Sequence, residues 1–305
     1  MHMLRKLLNQ QIEGMEETDM AVRILTDSAS DITQTQAAAW GIRVLPLKVR
    51  FGEEEYLDGV NLMPRDFYSK LIETDEVPKT SQITPYEYDC EYKAAVEAGD
   101  ELICFTMSSG VSGCYQSACL AAQAYETGIH VIDTRQFCIS EYIIVQRAVQ
   151  LRDEGKTAAE IIKQIQEEQN DAHVIAVFNT LEYLKLGGRL SAAAAAAGNL
   201  LAIKPVLTIE EGAVKIIGKA RGSRKGNNLL SESVVRLGGI DFDRPVCLAY
   251  SGFSDEVLRK YMQDSAYLYK GFEDRLQIAE VGATIGTYSG PDAIALAFFA
   301  KKRED

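Results

Sequence analysis

Residues 101–126 read Glu-Leu-Ile-Cys-Phe-Thr, then Met-Ser-Ser-Gly-Val-Ser-Gly, then Cys-Tyr-Gln-Ser-Ala-Cys-Leu-Ala-Ala-Gln-Ala-Tyr-Glu. The first piece is an apolar run of strand length. The second is a hydroxyl- and glycine-rich turn. The third is rich in helix formers and begins a helix expected from about 114 to 126. A short apolar strand feeding a helix through a tight turn is half of a βα unit. The same beat occurs upstream: a strand at 22–26, a turn at 27–31, a helix at 33–40. A second strand is expected at 42–51, with helices opened by Pro64 and by Pro85, the latter over 85–98. Downstream come a strand at 129–133 and two helices within 137–169. Strands separated by helices of this length require crossover connections, hence a parallel sheet.

After about 170 the texture changes. A strand at 173–178 precedes a short helix at 180–186, ended by Gly187-Gly188. Residues 191–201 hold six consecutive alanines and read as helix. Apolar runs at 205–209 and 213–217 flank Glu210-Glu211-Gly212, a hairpin signature. Helices at 223–237 and 254–268 and strands at 245–250, 275–281 and 293–299 complete a mixed α/β unit. The expected organisation is an extension at 1–20, a parallel-sheet βα domain at 21–170 and a mixed α/β domain at 171–305, with a ligand cleft between the domains. The extension is only mildly amphipathic, and Glu13, Glu16, Glu17 and Asp19 oppose a membrane-surface helix.

Composition narrows the function. The 305 residues carry 32 Lys+Arg against 44 Asp+Glu, a net charge of −12. That balance argues against nucleic acid, whose phosphates need a basic face. With 47% hydrophobic residues the chain supports a large core, which excludes wholesale disorder. Three histidines leave little room for a His-rich metal centre, and none is expected. No pair among the six cysteines is spaced C-x-x-C. With no secretory signal visible, the cysteines read as reduced and the protein as cytoplasmic. No apolar run approaches the roughly 20 residues of a membrane span.

The hydroxyls carry the functional signal. Asp27-Ser28 follows the first strand, Thr80-Ser81-Gln82 precedes the helix at Pro85, and Ser108, Ser109 and Ser112 lie between strand and helix. Ligands of open parallel sheets sit at the carboxyl ends of the strands, where helix N-termini offer free N–H groups. Each hydroxyl taken singly reads as an N-cap; three such loops together suggest a site for a small anion. Machinery for bond breaking is not apparent. Residues 110–114 form no G-x-S-x-G elbow, no phosphate loop is present, and His130 and His173 fall within expected strands. Asp27 and Asp31 could pair on a metal, but in such a loop Asp usually caps a turn. Cys114 at a helix start is either an activated thiol or, more simply, a packed one. A basic segment at 185–225 carries +6, leaving −18 on the rest. It reads as a solvated face or as a patch for a phosphate-bearing ligand or an acidic partner. Residues 281–291 read as a glycine-bracketed loop returning hydroxyls to the site.

Taken together and in order, Thr26-Asp27-Ser28, Lys79-Thr80-Ser81-Gln82, the run from Ser108 to Ala118, Gly188-Arg189-Leu190-Ser191, Lys204-Pro205 and the run from Gly286 to Pro291 resemble the DegV family. The resemblance covers about 21–300. It implies a two-domain α/β protein that binds one long-chain fatty acid between its domains and uses no cofactor. It implies a non-catalytic role: the acid is presented to a separate fatty acid kinase, with transient membrane contact allowed. Carried over, Thr80 and Ser112 hold the carboxylate, with Ser28, Ser81, Ser109, the Gly113 amide and Tyr288 nearby, and Arg189 faces the kinase. Two positions depart from the pattern: Cys114 where the family commonly has Thr, and Tyr288 where it commonly has His. The competing reading is an enzyme acting on a small carboxylate or phosphate at the strand-end serines. A third is a regulatory module using the basic segment.

Overall fold

The computed structural model describes residues 21–190 and 203–301. The extension at 1–20 and the whole of the expected helix at 191–201, with Ser191 of the Gly-Arg motif, lie outside the described residues.

Strand β1 (Val22–Asp27) runs into a single 3-10 turn and then helix α1 (Gln34–Trp40). Thr33 and Gln36 form a capping box at the start of α1, satisfying two orphan N–H groups. The expected long strand at 42–51 is two strands, β2 (Arg43–Leu45) and β3 (Lys48–Phe51). They belong to different sheets. Pro46 lies between them and has no N–H to continue a ladder. Then follow β4 (Glu54–Leu57), α2 (Pro64–Glu73), β5 (Lys79–Ser81), α3 (Pro85–Glu97) and β6 (Glu101–Thr106). Next come α4 (Cys114–Ala122), β7 (Ile129–Asp133), α5 (Ile139–Asp153) and α6 (Ala158–Glu168).

The first sheet is parallel, ordered β2-β1-β6-β7, as the βα rhythm predicts. A small antiparallel sheet, β4-β3-β5, stands beside it and was not anticipated. Its strands are three or four residues long, and β4 carries two glutamates, so no apolar alternation announces it.

The second half supplies β8 (Ala172–Val177), α7 (Glu182–Leu186), β9 (Ile203–Glu210), β10 (Ala213–Arg221) and α8 (Ser223–Arg236). It ends with β11 (Val246–Tyr250), α9 (Glu256–Asp264), β12 (Gln277–Glu280), α10 (Ala283–Ser289) and β13 (Ile294–Phe299). Its mixed sheet is ordered β10-β9-β8-β13-β11-β12. The β9–β10 hairpin turns through Glu211 and Gly212, both with positive φ. The loop expected at 281–291 is instead helix α10. Its glycines serve packing: a Cβ on Gly286 would lie 2.6 Å from the Phe67 ring and 2.8 Å from the Tyr68 hydroxyl.

The sheets stack with helices between and outside them. Helix α5 lies in the middle, and its first two turns are buried on every side. One core joins it to Ile24, Ile103 and Phe105 of the parallel sheet and to Val174, Ala249 and Ala297 of the mixed sheet. Alternate residues face away. Leu25, Leu102 and Cys104 pack under α3 and α4, and Val177, Leu248 and Phe298 under α8 and α9. The mixed sheet presents mostly small residues inward, among them Ala176, Ala249, Ala295 and Ala297. Gly286→Ala should destabilise the protein by about 1–3 kcal/mol, because the buried Phe67 ring cannot retreat. Urea unfolding of the variant measures this, and an unchanged midpoint would place slack at that contact.

Candidate functional site

The parallel sheet changes winding direction between β1 and β6, the point where such sheets leave a crevice. Asp27 closes the floor of that crevice. Its carboxylate accepts from Ala29 N at 3.0 Å and from Met107 N at 2.9 Å, tying the ends of the two strands together. Asp27 therefore caps and bridges. Among the described residues, no group of three or more His, Cys, Asp or Glu side chains could hold a metal.

Two further carboxylates bind the far end of the chain to this region. Asp31 accepts from Gly282 N at 2.9 Å. Asp58 accepts from Ala283 N at 2.9 Å, Thr284 N at 3.1 Å and the Ser28 hydroxyl at 3.0 Å. Both serve the start of α10, where orphan N–H groups and the helix dipole favour an anion. Burial pushes Asp27 and Asp31 up to about 7, against the pull of their N–H donors. It also raises Asp58, and Glu141 well above the carboxylate range. One oxygen of Glu141 accepts from the Thr26 hydroxyl and the other has no partner.

Above this floor is a cavity of about 370 Å³. It is walled by Thr80, Ser81 and Gln82 of the β5 segment and by Met107, Ser112 and Gly113 of the loop opening α4. Arg189 and four α10 residues, Thr284, Ile285, Tyr288 and Ser289, complete the wall. Thr80 and Tyr288 share a hydrogen bond of 2.6 Å across it. The Ser112 hydroxyl donates to Cys114 Sγ at 3.2 Å and accepts from Cys114 N at 3.3 Å. Gly113 is required where it stands, since a Cβ would overlap the Gln82 side chain, which is held by its bond to Ser117 at 2.8 Å. Burial pushes the Cys114 thiol up to about 12, which makes it a packed thiol, not an activated one.

The cavity continues inward. A small apolar chamber of about 60 Å³ shares Phe137, Phe178, Val214, Ile285 and Ser289 with it. The chamber runs between the sheets over Ala176, Ala249 and Ala295, the small inward residues of the mixed sheet. The site is thus amphipathic, with hydroxyls and amides at one end and an apolar slot at the other.

Of the residues expected at the site, Thr80, Ser81, Ser112, Gly113, Tyr288 and Arg189 come together here. Ser28 and Ser109 do not. Ser28 is buried between Asp58 and Leu47 N, and Ser109 donates to Asp133 at 2.5 Å. Both brace loops and do not face the cavity. Arg189 is exposed at the rim, donates to the Val111 and Gly187 carbonyls, and has its guanidinium 5.1 Å from the Tyr288 ring centre. His130 faces Glu101 at 3.2 Å, and His173 packs on Phe298; neither lines this cavity. In the basic segment, Lys215, Lys219 and Arg221 stand on β10, at the edge of the mixed sheet, where charge guards against edge pairing.

A family model described as "Uncharacterised protein, DegV family" matches residues 21–301. The chain belongs to the DegV family. It is 34% identical over 284 residues to a DegV domain-containing protein of Caldanaerobacter subterraneus, covering 92% of this chain and 99% of that one. Among solved structures, a DegV family protein of Thermus thermophilus, described for fatty acid binding, aligns with TM-score 0.83 and 30% identity. The match covers 92% of this chain and 100% of that one. DegV of Bacillus subtilis, described as a fatty acid binding protein, aligns with TM-score 0.78 and 26% identity over 93% of this chain and all of its own.

Nothing in the sequence of this DegV chain marked Asp58 or Asp133, whereas Gln82 and Thr284 stand in stretches that the sequence did mark, without being singled out as contacts. The signal for Asp58 was absent, because its two backbone donors on α10 lie more than 200 residues away. The buried carboxyls set a pH dependence. Unfolded, Asp31 ionises near 4; folded, it does so at about 7. Between those values the folded protein keeps a proton the unfolded chain has released. The contribution of Asp31 to stability therefore falls as pH rises from about 4 to about 7, and is level above. Asp31→Asn keeps the acceptor for Gly282 and should improve, relative to the parent, by on the order of 1–4 kcal/mol between pH 4.5 and pH 8. Denaturant midpoints at both values measure the difference; an equal effect at both would assign it to packing.

Proposed function

We infer that this protein binds one long-chain fatty acid, carboxylate at the hydroxyl end and acyl chain in the apolar slot, and presents it to a separate fatty acid kinase. The observation that carries the reading is the continuity of the two chambers through Phe137, Phe178, Val214 and Ile285. The Thermus and Bacillus relatives, described as binding fatty acids, support it. In this reading residues 21–170 and 171–305 are the two walls of the cleft, and the cytoplasm is the compartment, consistent with six free cysteines.

The carboxylate is a monoanion, which neutral donors can hold. Thr80, Ser81, Ser112 and Tyr288 supply hydroxyls and the Gly113 end of α4 supplies amides. Ser112 spends its proton on a weak acceptor, the thiol sulfur of Cys114, so a carboxylate takes it over readily. An acyl chain with about 14 methylenes gains at most about 11 kcal/mol on burial, at about 0.8 kcal/mol each. Such a ligand stays bound through purification and adds stability by mass action. In this reading Arg189, exposed at the rim beside Tyr288, meets a phosphoryl donor arriving from outside.

Organic extraction followed by mass spectrometry should recover about one fatty acid per chain. A purified protein that is empty and has no measurable affinity for fatty acids would sink the reading. Activity toward a small carboxylate or phosphate that needs no partner and is lost in Ser112→Ala would decide for an enzyme instead. Thr80→Val and Tyr288→Phe should each weaken binding at least about tenfold, the worth of a hydrogen bond to a charged group. Arg189→Ala should keep the lipid and lose most phosphorylation by the kinase. Loss of lipid with phosphorylation of supplied acid intact would reverse that assignment.

A further inference from the structure

The β8–β9 ladder stops early. It pairs Val177 with Val206, Ala176 with Leu207 and Ile175 with Thr208, and goes no further. Yet β8 begins at Ala172 and β9 continues to Glu210. The strands splay there, and the Thr208 hydroxyl donates to the Val174 carbonyl at 2.7 Å. The opening leads to a second cavity, of about 340 Å³, beyond the sheet. Thr208 and Ile209 line both this cavity and the apolar chamber, so they are the partition between them. Ile209 points into the core between the sheets, opposite Val214 on β10.

The two sides of the partition differ in chemistry. The inner side is apolar, with Val174, Ala176 and Val214. The outer side is mixed: Ala172, Ile217 and Leu237 line it together with the polar side chains of Gln136 and Gln169. The Oε1 atoms of both glutamines are buried and have no hydrogen-bond partner, and Gln136 is only 9% exposed. A buried acceptor without a donor is costly, and a methylene placed against it offers none.

We propose that Ile209 is the stop that sets the length of the acyl chain, and that the two unpartnered amide oxygens behind it make the limit sharp. This rests on the fatty-acid reading above. Each methylene up to Ile209 is buried against carbon and improves binding about fourfold. A methylene beyond it meets the two amide oxygens and the water that serves them, and gains nothing. Ile209 thereby separates lengths that hydrophobicity alone would rank in order.

The test is competitive loading. Full-length protein stripped of lipid is offered an equimolar series of straight-chain saturated acids of twelve to twenty-two carbons, and the bound acids are extracted and quantified. The parent should show a cutoff length. Ile209→Ala should raise it by about two carbons and increase the bound ratio of the acid two carbons beyond the cutoff by about tenfold or more. Ile209→Phe should lower the cutoff. Gln136→Leu should relax it upward with Ile209 in place. Should Ile209→Ala fold poorly, Ile209→Val raises the cutoff in the same direction with a smaller step. An identical cutoff in all lipid-bearing variants overturns the role of Ile209. A parent that takes up no acid at any length overturns the fatty-acid reading itself, a result distinct from an unmoved cutoff.

Discussion

Three amides and two carboxylates hold this molecule in its working shape. The N–H groups of Gly282, Ala283 and Thr284, at the start of α10, point at Asp31 and Asp58, both buried. Burying a carboxyl is expensive unless donors meet it, and a helix N-terminus is among the few places that supplies several at once. The bond from Asp31 spans 251 residues of sequence. It fixes α10 above the parallel sheet, and α10 in turn brings Thr284, Ile285, Tyr288 and Ser289 to the cavity wall. Asp27 and Asp133 do the same locally, fixing Met107 and Ser109 by their backbone N–H groups. The hydroxyl loops are thus shaped by carboxylates that never face the cavity.

That arrangement explains how an acidic chain can hold an anion. The carboxylates are turned inward and spend their acceptor capacity on backbone amides. What faces the cavity is the other half of the polar inventory: hydroxyls, the α4 N-terminus and, at the rim, one guanidinium. The net charge of −12 therefore says little about the local field at the site. The apolar half has an equally simple origin. Alanines on the inner face of the mixed sheet let α5 pack closely and leave a slot beside it.

The sequence was legible where a signal is local. Glu101–Thr106 and Cys114–Ala122 follow from an apolar run and a glycine-rich turn, and the parallel order of four strands follows from the crossover helices. The hairpin at Glu211-Gly212 was marked by its own turn chemistry. The three-stranded sheet was not legible, because short polar strands carry no periodic pattern. Helix α10 was read as a loop for a related reason. Its glycines suggested a turn, whereas Gly286 is there to admit Phe67 and Tyr68.

At the site the division is the same. The sequence by itself determined which loops offer hydroxyls and helix-end amides, since residue type and strand-to-helix spacing are local properties. It could not separate Ser112, which faces the cavity, from Ser28 and Ser109, which brace the loops around it. That distinction depends on which side of a loop meets Asp58 or Asp133, and those partners arrive from other elements of the fold. Only the tertiary structure decided it, along with the join between hydroxyl chamber and apolar slot. Both are properties of the space left between packed elements, and no single segment of the chain encodes that space.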